Sequence, residues 1–82
     1  MKGYIRIEIL SDIVRVRLER TGDRFDQLRD AFYAHVPSAY WNHEIRWMLV
    51  PRTDYKKLMA YCTKWFSLEN IQVSYRALTI KS

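Results

Sequence analysis

The clearest pattern in the chain is the stretch YIRIEILSDIVRVRLE, residues 4–19, in which apolar and polar side chains alternate on both sides of a Ser-Asp pair. Alternation with a period of two is typical of β-strands that have one buried and one solvated face. The Ser11-Asp12 pair fits a tight turn between two such strands. We therefore predict a β-hairpin whose core-facing side chains are Ile5, Ile7, Ile9, Val14, Val16 and Leu18.

The period changes after the hairpin. Phe25, Leu28, Phe32 and Val36 follow one another at spacings of three and four residues, which is the apolar stripe of an amphipathic helix. We predict a helix over residues 24–36, with Asp23 at its N-cap and an end imposed by the proline at position 37.

The stretch SAYWNHEIRWMLVP, residues 38–51, returns to strand character. It predicts a short strand at 39–41, a turn at 42–44 and a longer strand at 45–50. In the longer strand we expect Ile45, Trp47 and Leu49 to face the core, and Arg46 and Met48 to face outward.

A second amphipathic helix is predicted over residues 54–66, with Thr53 as its N-cap. Its expected buried stripe consists of Tyr55, Leu58, Cys62 and Trp65. Residues 71–78 alternate again, which predicts a last strand with Ile71, Val73, Tyr75 and Ala77 inward.

The order β-β-α-β-β-α-β, with one apolar stripe per helix and one apolar face per strand, predicts a two-layer α+β fold. Both helices should lie on one face of a mixed or antiparallel sheet. A chain of 82 residues is expected to form one small domain over residues 1–82, with the hairpin occupying residues 1–20.

Composition excludes several classes of protein. Hydrophobic residues make up 49% of the chain, which is too many for a disordered segment. A single cysteine excludes an internal disulfide, and His35, His43 and Cys62 have no spacing typical of a metal or thiol site. We therefore predict no cofactor, no metal and no catalytic residues. Without an apolar run of about 20 residues or a signal-peptide core, an intracellular protein that is not bound to a membrane is expected.

The net charge of +5 is unevenly distributed: residues 1–41 carry +1 and residues 42–82 carry +4. A regional basic excess indicates a polyanionic partner, with nucleic acid ahead of anionic lipid.

The polar face of the predicted sheet is rich in arginine. Such guanidinium groups could donate paired hydrogen bonds to phosphates, or could form cross-strand pairs with glutamates and simply keep the sheet soluble. The residues expected on this face are Arg6, Glu8, Arg15, Arg17, Glu19, Arg46, Gln72, Ser74 and Arg76.

Two further groups are candidates for the same surface. Lys57, Tyr61 and Lys64 are spaced to lie on one side of the second helix, either as a basic strip or as ordinary helix solvation. Tyr40 and Trp41 precede the predicted turn, where an aromatic ring could stack on an unpaired base or cover one edge of the core.

Four segments, FDQLRDAF, VPSAYWNHEIRWMLV, DYKKLMAYC and IQVSY, resemble the HARP domain, the accessory module of annealing helicases in the SWI/SNF-like group. Arg46-Trp47 matches the family's pair of a basic residue and tryptophan, and Tyr40 matches the aromatic before the turn. Leu49 stands where an aromatic is common, and Trp41 stands where an acidic residue is usual, so no role is carried over to it. The resemblance covers roughly 50–55 of the 82 residues and suggests a HARP-like core at 23–80.

The resemblance implies recognition of DNA structure, such as forks and single-strand/double-strand junctions, and a helicase or ATPase as a companion domain or subunit. We accordingly predict a non-enzymatic module that binds nucleic acid, DNA in preference to RNA, without base-sequence specificity. Its expected phosphate contacts are Arg15, Arg17, Arg46 and Arg76, extended by Lys57 and Lys64. About four neutralised phosphates predict a slope near −3.6 for log K against log salt on duplex.

The alternative is a protein-interaction module that docks on a larger enzyme. It predicts an exposed apolar patch, for example one made of Tyr33, Trp41, Phe66 and Leu78.

Overall fold

The computed structural model describes residues 3–75. Its five strands and two helices follow the predicted order β-β-α-β-β-α-β, which is confirmed. They are β1 (Tyr4–Ile9), β2 (Ile13–Glu19), α1 (Phe25–His35), β3 (Tyr40–Asn42), β4 (Trp47–Pro51), α2 (Tyr55–Trp65) and β5 (Ile71–Tyr75). Short 3₁₀ turns lead into α1, α2 and β5, at Gly22–Arg24, Arg52–Asp54 and Leu68–Asn70.

All five strands form one mixed sheet in the order β3-β4-β2-β1-β5. The hairpin β1-β2 lies in the middle of this sheet, with β4 pairing antiparallel to β2 and β5 pairing parallel to β1. A parallel neighbour needs a long crossover connection, and α2 provides it between β4 and β5. The hairpin and the segment after it therefore share one sheet.

The core lies between one face of the sheet and the two helices. Val14 and Val16 of the sheet, Phe32 of α1 and Leu58 of α2 are all fully buried. The helices meet through Phe32 and Tyr61, whose ring centroids are 5.3 Å apart at an edge-to-face angle of 80°. Both helices thus lie on the same side of the sheet, as predicted, and no helix of residues 3–75 lies over the other side.

Strand β4 faces the opposite way from the sequence prediction. Met48 and Val50 pair with core-facing residues of β2 and belong to the core, whereas Leu49 pairs with Arg15. Trp47 and Leu49 therefore lie on the open face of the sheet. The prediction was wrong because every residue from Trp47 to Val50 is apolar, so periodicity alone could not distinguish the two faces.

Three smaller predictions also need correction. Neither Asp23 nor Thr53 caps a helix: a 3₁₀ turn precedes each helix, and no side chain bonds to the free backbone N–H groups there. Tyr61, expected on the exposed side of α2, is fully buried. Ile45, expected in the core, is 42% exposed in the turn before β4.

The side chains of β5 lie on the predicted faces of the sheet, but those on the core side are only partly buried. Ile71 is half-buried, whereas Val73 is 41% and Tyr75 76% exposed. The predicted continuation of this strand to residue 78, including Ala77, lies outside the described residues.

Candidate nucleic-acid interface

The open face of the sheet is organised around Trp47. The guanidinium carbons of Arg15 and Arg17 lie 4.5 and 4.4 Å from the centre of its ring. Cations over an indole face are attracted by its quadrupole, and the arginine stems cover apolar surface. Trp47 is consequently only 7% exposed on a face that no helix of the described range covers.

Glutamates partly neutralise these arginines. The Nε of Arg15 donates to a carboxylate oxygen of Glu8 at 2.7 Å, and Glu8 is itself only 7% exposed. Glu19 lies 3.7 Å from Arg17 and 3.9 Å from Arg6. Arg15 is therefore held by a close carboxylate within the fold. Arg17 and Arg6 instead share one carboxylate at longer range.

The turn between β3 and β4 presents a further arginine. The side-chain oxygen of Asn42 accepts hydrogen bonds from the backbone N–H groups of Glu44 and Ile45, at 2.9 and 3.1 Å. Arg46 closes the turn with a φ of 62° and donates its own N–H to the carbonyl oxygen of Asn42 at 2.8 Å. This φ lies in the left-handed region, which is unfavourable for a residue with a Cβ.

Arg46 differs from the other arginines of this surface because no carboxylate lies within ion-pair distance of it in the part of the chain that the structure describes. Its side chain is exposed, and its carbonyl oxygen accepts a 3.4 Å hydrogen bond from Arg17. Arg46 and Arg17 thus meet at one corner of the sheet, called the arginine corner below. The prediction that Arg46 belongs to the strand at 45–50 and faces outward from it is corrected: Arg46 lies in the turn before β4.

The structure brings some of the predicted site residues together and separates others. Tyr40 pairs with Leu49 and lies on the open face, 51% exposed. Trp41 pairs with Met48 and lies on the helix side of the sheet, 43% exposed. The two aromatics therefore cannot stack on the same base. Arg76 lies outside the described residues.

Lys57 and Lys64 do not extend the arginine surface. Both are exposed on α2, which packs on the side of the sheet opposite to Arg15 and Arg17. Lys57 is 3.9 Å from the carboxylate of Asp54, an exposed i, i+3 pair. The expected basic strip on α2 is also interrupted, since the hydroxyl of Tyr61 is turned into the core.

Beside the arginine corner, a groove with a volume of about 640 Å³ opens between α1 and the sheet. The sequence did not predict this groove, because Phe25 was expected in the core. In the structure Phe25 is 39% exposed. The polar rim of the groove is Arg17, Arg29, Arg46 and Glu19, and its aromatic lining is Phe25, Tyr33 and Trp41.

Charge in the groove is also partly compensated. Arg29 lies 5.5 Å from the ring centre of Phe25 and 3.2 Å from carboxylate oxygens of both Asp26 and Asp30. Burial raises the pKa of the Tyr33 phenol, while the nearby Arg29 lowers it. Tyr33 is therefore an uncharged aromatic wall at neutral pH.

The apolar patch suggested for a docking module does not form as predicted. Tyr33 and Trp41 line the groove together, but Phe66 is only 9% exposed and packs in the core. Leu78 lies outside the described residues.

The buried thiol of Cys62 is unsuited to nucleophilic chemistry, since burial raises its pKa to about 12. In residues 3–75 no group of three or more His, Cys, Asp or Glu side chains is placed to hold a metal ion. Within the same range, neither helix combines the length and the apolar character needed to cross a membrane.

No family model, no curated protein and no solved structure matches the chain.

Proposed function

We propose that the protein is a nucleic-acid-binding module that recognises the sugar-phosphate backbone without base-sequence specificity. The observation that carries the proposal is the corner where Arg17 and Arg46 meet, because Arg46 has no carboxylate partner in the described range and its guanidinium is free to bind an anion. Arg6 adjoins this corner, since it pairs with Arg17 across the β1-β2 hairpin.

The tryptophan beneath the arginines supports the same proposal. A guanidinium held over a ring loses little further side-chain freedom when it binds a phosphate, which lowers the entropic cost of binding. Arg17 is held in this way by Trp47, while its side chain remains 36% exposed. The ion pair with Glu19 is long, at 3.7 Å, so a phosphate can compete for the guanidinium.

The backbone strain at Arg46 also bears on the proposed binding of phosphates. A residue with a Cβ in the left-handed region costs about 1–2 kcal/mol relative to the ordinary helical conformation. Glycine or asparagine would suit this position better. Because Arg20 also has a positive φ, of 54°, the strain at Arg46 supports the proposal only together with the position of Arg46 at the corner.

The resemblance to the HARP domain suggests the biological setting. We propose that the module binds DNA forks and single-strand/double-strand junctions inside the cell, as an accessory to a helicase or ATPase, and that it has no catalytic activity of its own. Contacts through Arg6, Arg17 and Arg46 alone give a slope of about −2.7 for log K against log salt on duplex.

The test is a fluorescence-anisotropy titration of labelled single strand, duplex and forked DNA at several salt concentrations. The double variant Arg17→Gln/Arg46→Gln should reduce the steepness of the salt dependence on duplex by about 1.8, because two phosphate contacts are lost. The matched control Lys57→Gln/Lys64→Gln removes the same charge from the opposite side of the molecule and should leave the slope unchanged. Absence of binding at low salt by folded protein, or equal effects of the two double variants, would refute the proposed surface.

A second candidate function is docking on a protein partner through the β5 edge. Val73 and Tyr75 expose apolar surface on the helix side of this edge strand, and Leu68 in the preceding 3₁₀ turn is 78% exposed. Edge strands with exposed apolar side chains are common sites of strand addition. Tyr75→Ser with Val73→Thr should weaken association with such a partner and leave the salt dependence of DNA binding unchanged.

A further inference from the structure

We propose that the groove between α1 and the β3-β4 end of the sheet holds one unpaired base of a single-stranded nucleic acid. This inference rests on the proposed function and assigns a second, distinct element of recognition to it. The open sheet face contacts phosphates, whereas the groove receives a base.

Three aromatic rings line the groove. Trp41, on the short edge strand β3, keeps 43% of its surface exposed. Phe25, in the first turn of α1, is 39% exposed, and Tyr33 of the same helix is half-buried; both line the groove together with Trp41. Partly exposed rings around one concave surface are suited to a flat, uncharged aromatic ligand.

The size of the groove suits a single base. The groove has a volume of about 640 Å³, within the range of roughly 300–1,000 Å³ that is usual for small-molecule sites. A duplex cannot enter such a space, since its bases are stacked and paired. An unpaired base that has left its stack can, as in other proteins that bind single strands.

The charges that line the groove favour a nucleotide over an apolar peptide. Arg17 and Arg46 line both the groove and the phosphate-binding corner. A base in the groove would therefore keep its flanking phosphates beside these two guanidinium groups. Glu19 is the only carboxylate that lines the groove in the described range, and it is already shared by Arg6 and Arg17.

The groove should not select one base strongly. Its aromatic walls contact the face of a ring, which every base has, and stacking of this kind tolerates changes of sequence. Preference for a strand with an unstacked base over a duplex follows directly. The groove thereby accounts for a preference for single-strand/double-strand junctions, which phosphate contacts alone do not provide.

The experiment compares the binding of two labelled strands of equal length and charge to the full chain: a thymidine 12-mer and its abasic counterpart. We expect the thymidine strand to bind about 5- to 150-fold more tightly, the range that corresponds to stacking of one base on aromatic side chains. Trp41→Ala should lower the affinity for the thymidine strand towards that for the abasic strand, and Trp41→Phe should restore most of the difference. Tyr40→Ala is the matched control, because this neighbouring aromatic lies on the opposite face of the sheet and should leave the ratio unchanged.

The outcomes separate the two proposals. Equal binding of both strands by the wild-type chain would overturn the base-binding groove and leave phosphate binding intact. Binding of neither strand would overturn both. Tighter binding of a Glu-Tyr peptide of matched charge, lost in Trp41→Ala, would assign the groove to a protein partner and overturn the inference. Because the strand comparison uses the unmodified chain, a variant that fails to fold does not affect it.

Discussion

Replacing Arg46 by glycine should make the protein more stable and a weaker binder of DNA. The φ of 62° at this position costs a residue with a Cβ about 1–2 kcal/mol. Glycine avoids that cost but gains freedom in the unfolded chain, which offsets about 0.5–1 kcal/mol. We expect a net gain in the free energy of unfolding of about 0.5–1 kcal/mol.

The other interactions of the turn survive this substitution. The hydrogen bonds from Glu44, Ile45 and Arg46 to Asn42 all use backbone N–H groups, which glycine retains. The Arg46 side chain has no ion-pair partner among residues 3–75, so its removal leaves no described carboxylate without its cation. The backbone term should therefore dominate the change in stability.

Urea unfolding measures the stability, and thermal unfolding should show a rise in Tm of roughly 2–8 °C. In parallel, the slope of log K against log salt on duplex should become less steep by about 0.9, since one phosphate contact is lost. Arg20→Gly is the matched control: Arg20 also has a positive φ, 54°, is exposed, and lines neither the groove nor the arginine corner. It should gain similar stability and keep the full salt dependence. A loss of stability in Arg46→Gly would refute the strain argument, and an unchanged slope would remove Arg46 from the binding surface.

Three further predictions concern the core and the contacts that Arg15 makes on the open face of the sheet. Tyr61→Phe removes the buried hydrogen bond from the hydroxyl to the carbonyl oxygen of Leu28, 2.8 Å long, and should lower the free energy of unfolding by about 0.5–1.5 kcal/mol in urea titrations. No change would mean that this bond is not made in solution. Because burial raises the pKa of Cys62 from 9.0 to about 12, the unfolded thiol ionises first. Its contribution to stability is therefore complete below pH 9 and is lost as the pH rises towards 12, by at most about 1.4 kcal/mol per pH unit. Cys62→Ala should flatten this decline, and rapid reaction of the folded thiol with a disulfide reagent at pH 8 would contradict it. Arg15→Ala removes the hydrogen bond to Glu8 and should cost about 1.5–3 kcal/mol, whereas its effect on the salt slope should be smaller than that of Arg46→Gly; the reverse order would make Arg15 a binding residue.

The sequence predicts those elements in which the pattern of apolar residues fits only one choice of buried face. In the hairpin, isoleucine or valine alternates with arginine or glutamate, so only one face can be buried. Both strands and their core-facing residues are confirmed. The two helices are confirmed for the same reason, although the buried tyrosine of α2 was missed. Leu58, Tyr61, Cys62 and Trp65 form a stripe at spacings of three, one and three, and this stripe was the available signal.

Strand β4 shows where periodicity fails. All four residues from Trp47 to Val50 are apolar. The face of the sheet on which each of these side chains lies depends on how the preceding turn is built. The side chain of Asn42 and the left-handed Arg46 extend the turn by two residues beyond the prediction. The strand then begins at Trp47, with that tryptophan on the open face. A turn that stores strain at an arginine cannot be read from turn propensities.

The candidate site was predicted in composition but not in arrangement. The arginines of the hairpin were expected on one open face, where the structure places them. Their pairing with Glu8 and Glu19 and their packing on Trp47 depend on distances between strands that the sequence does not contain. The groove depends on how far α1 reaches across the sheet, and the separation of Lys57 and Lys64 from the arginines depends on which side the helices occupy.

The parallel pairing of β1 with β5 has a consequence for the order in which the protein opens. Ile5 pairs with Ile71, so this contact joins segments from opposite ends of the described chain. Among residues 3–75, β5 has no strand on its other side. Little apolar area is buried by β5, since Val73 and Tyr75 remain largely exposed. Backbone amides of β5 should therefore exchange with solvent hydrogen through local detachment of that strand, at a free energy well below that of global unfolding. Amides of β2, bonded on both sides, should exchange only when the whole sheet comes apart.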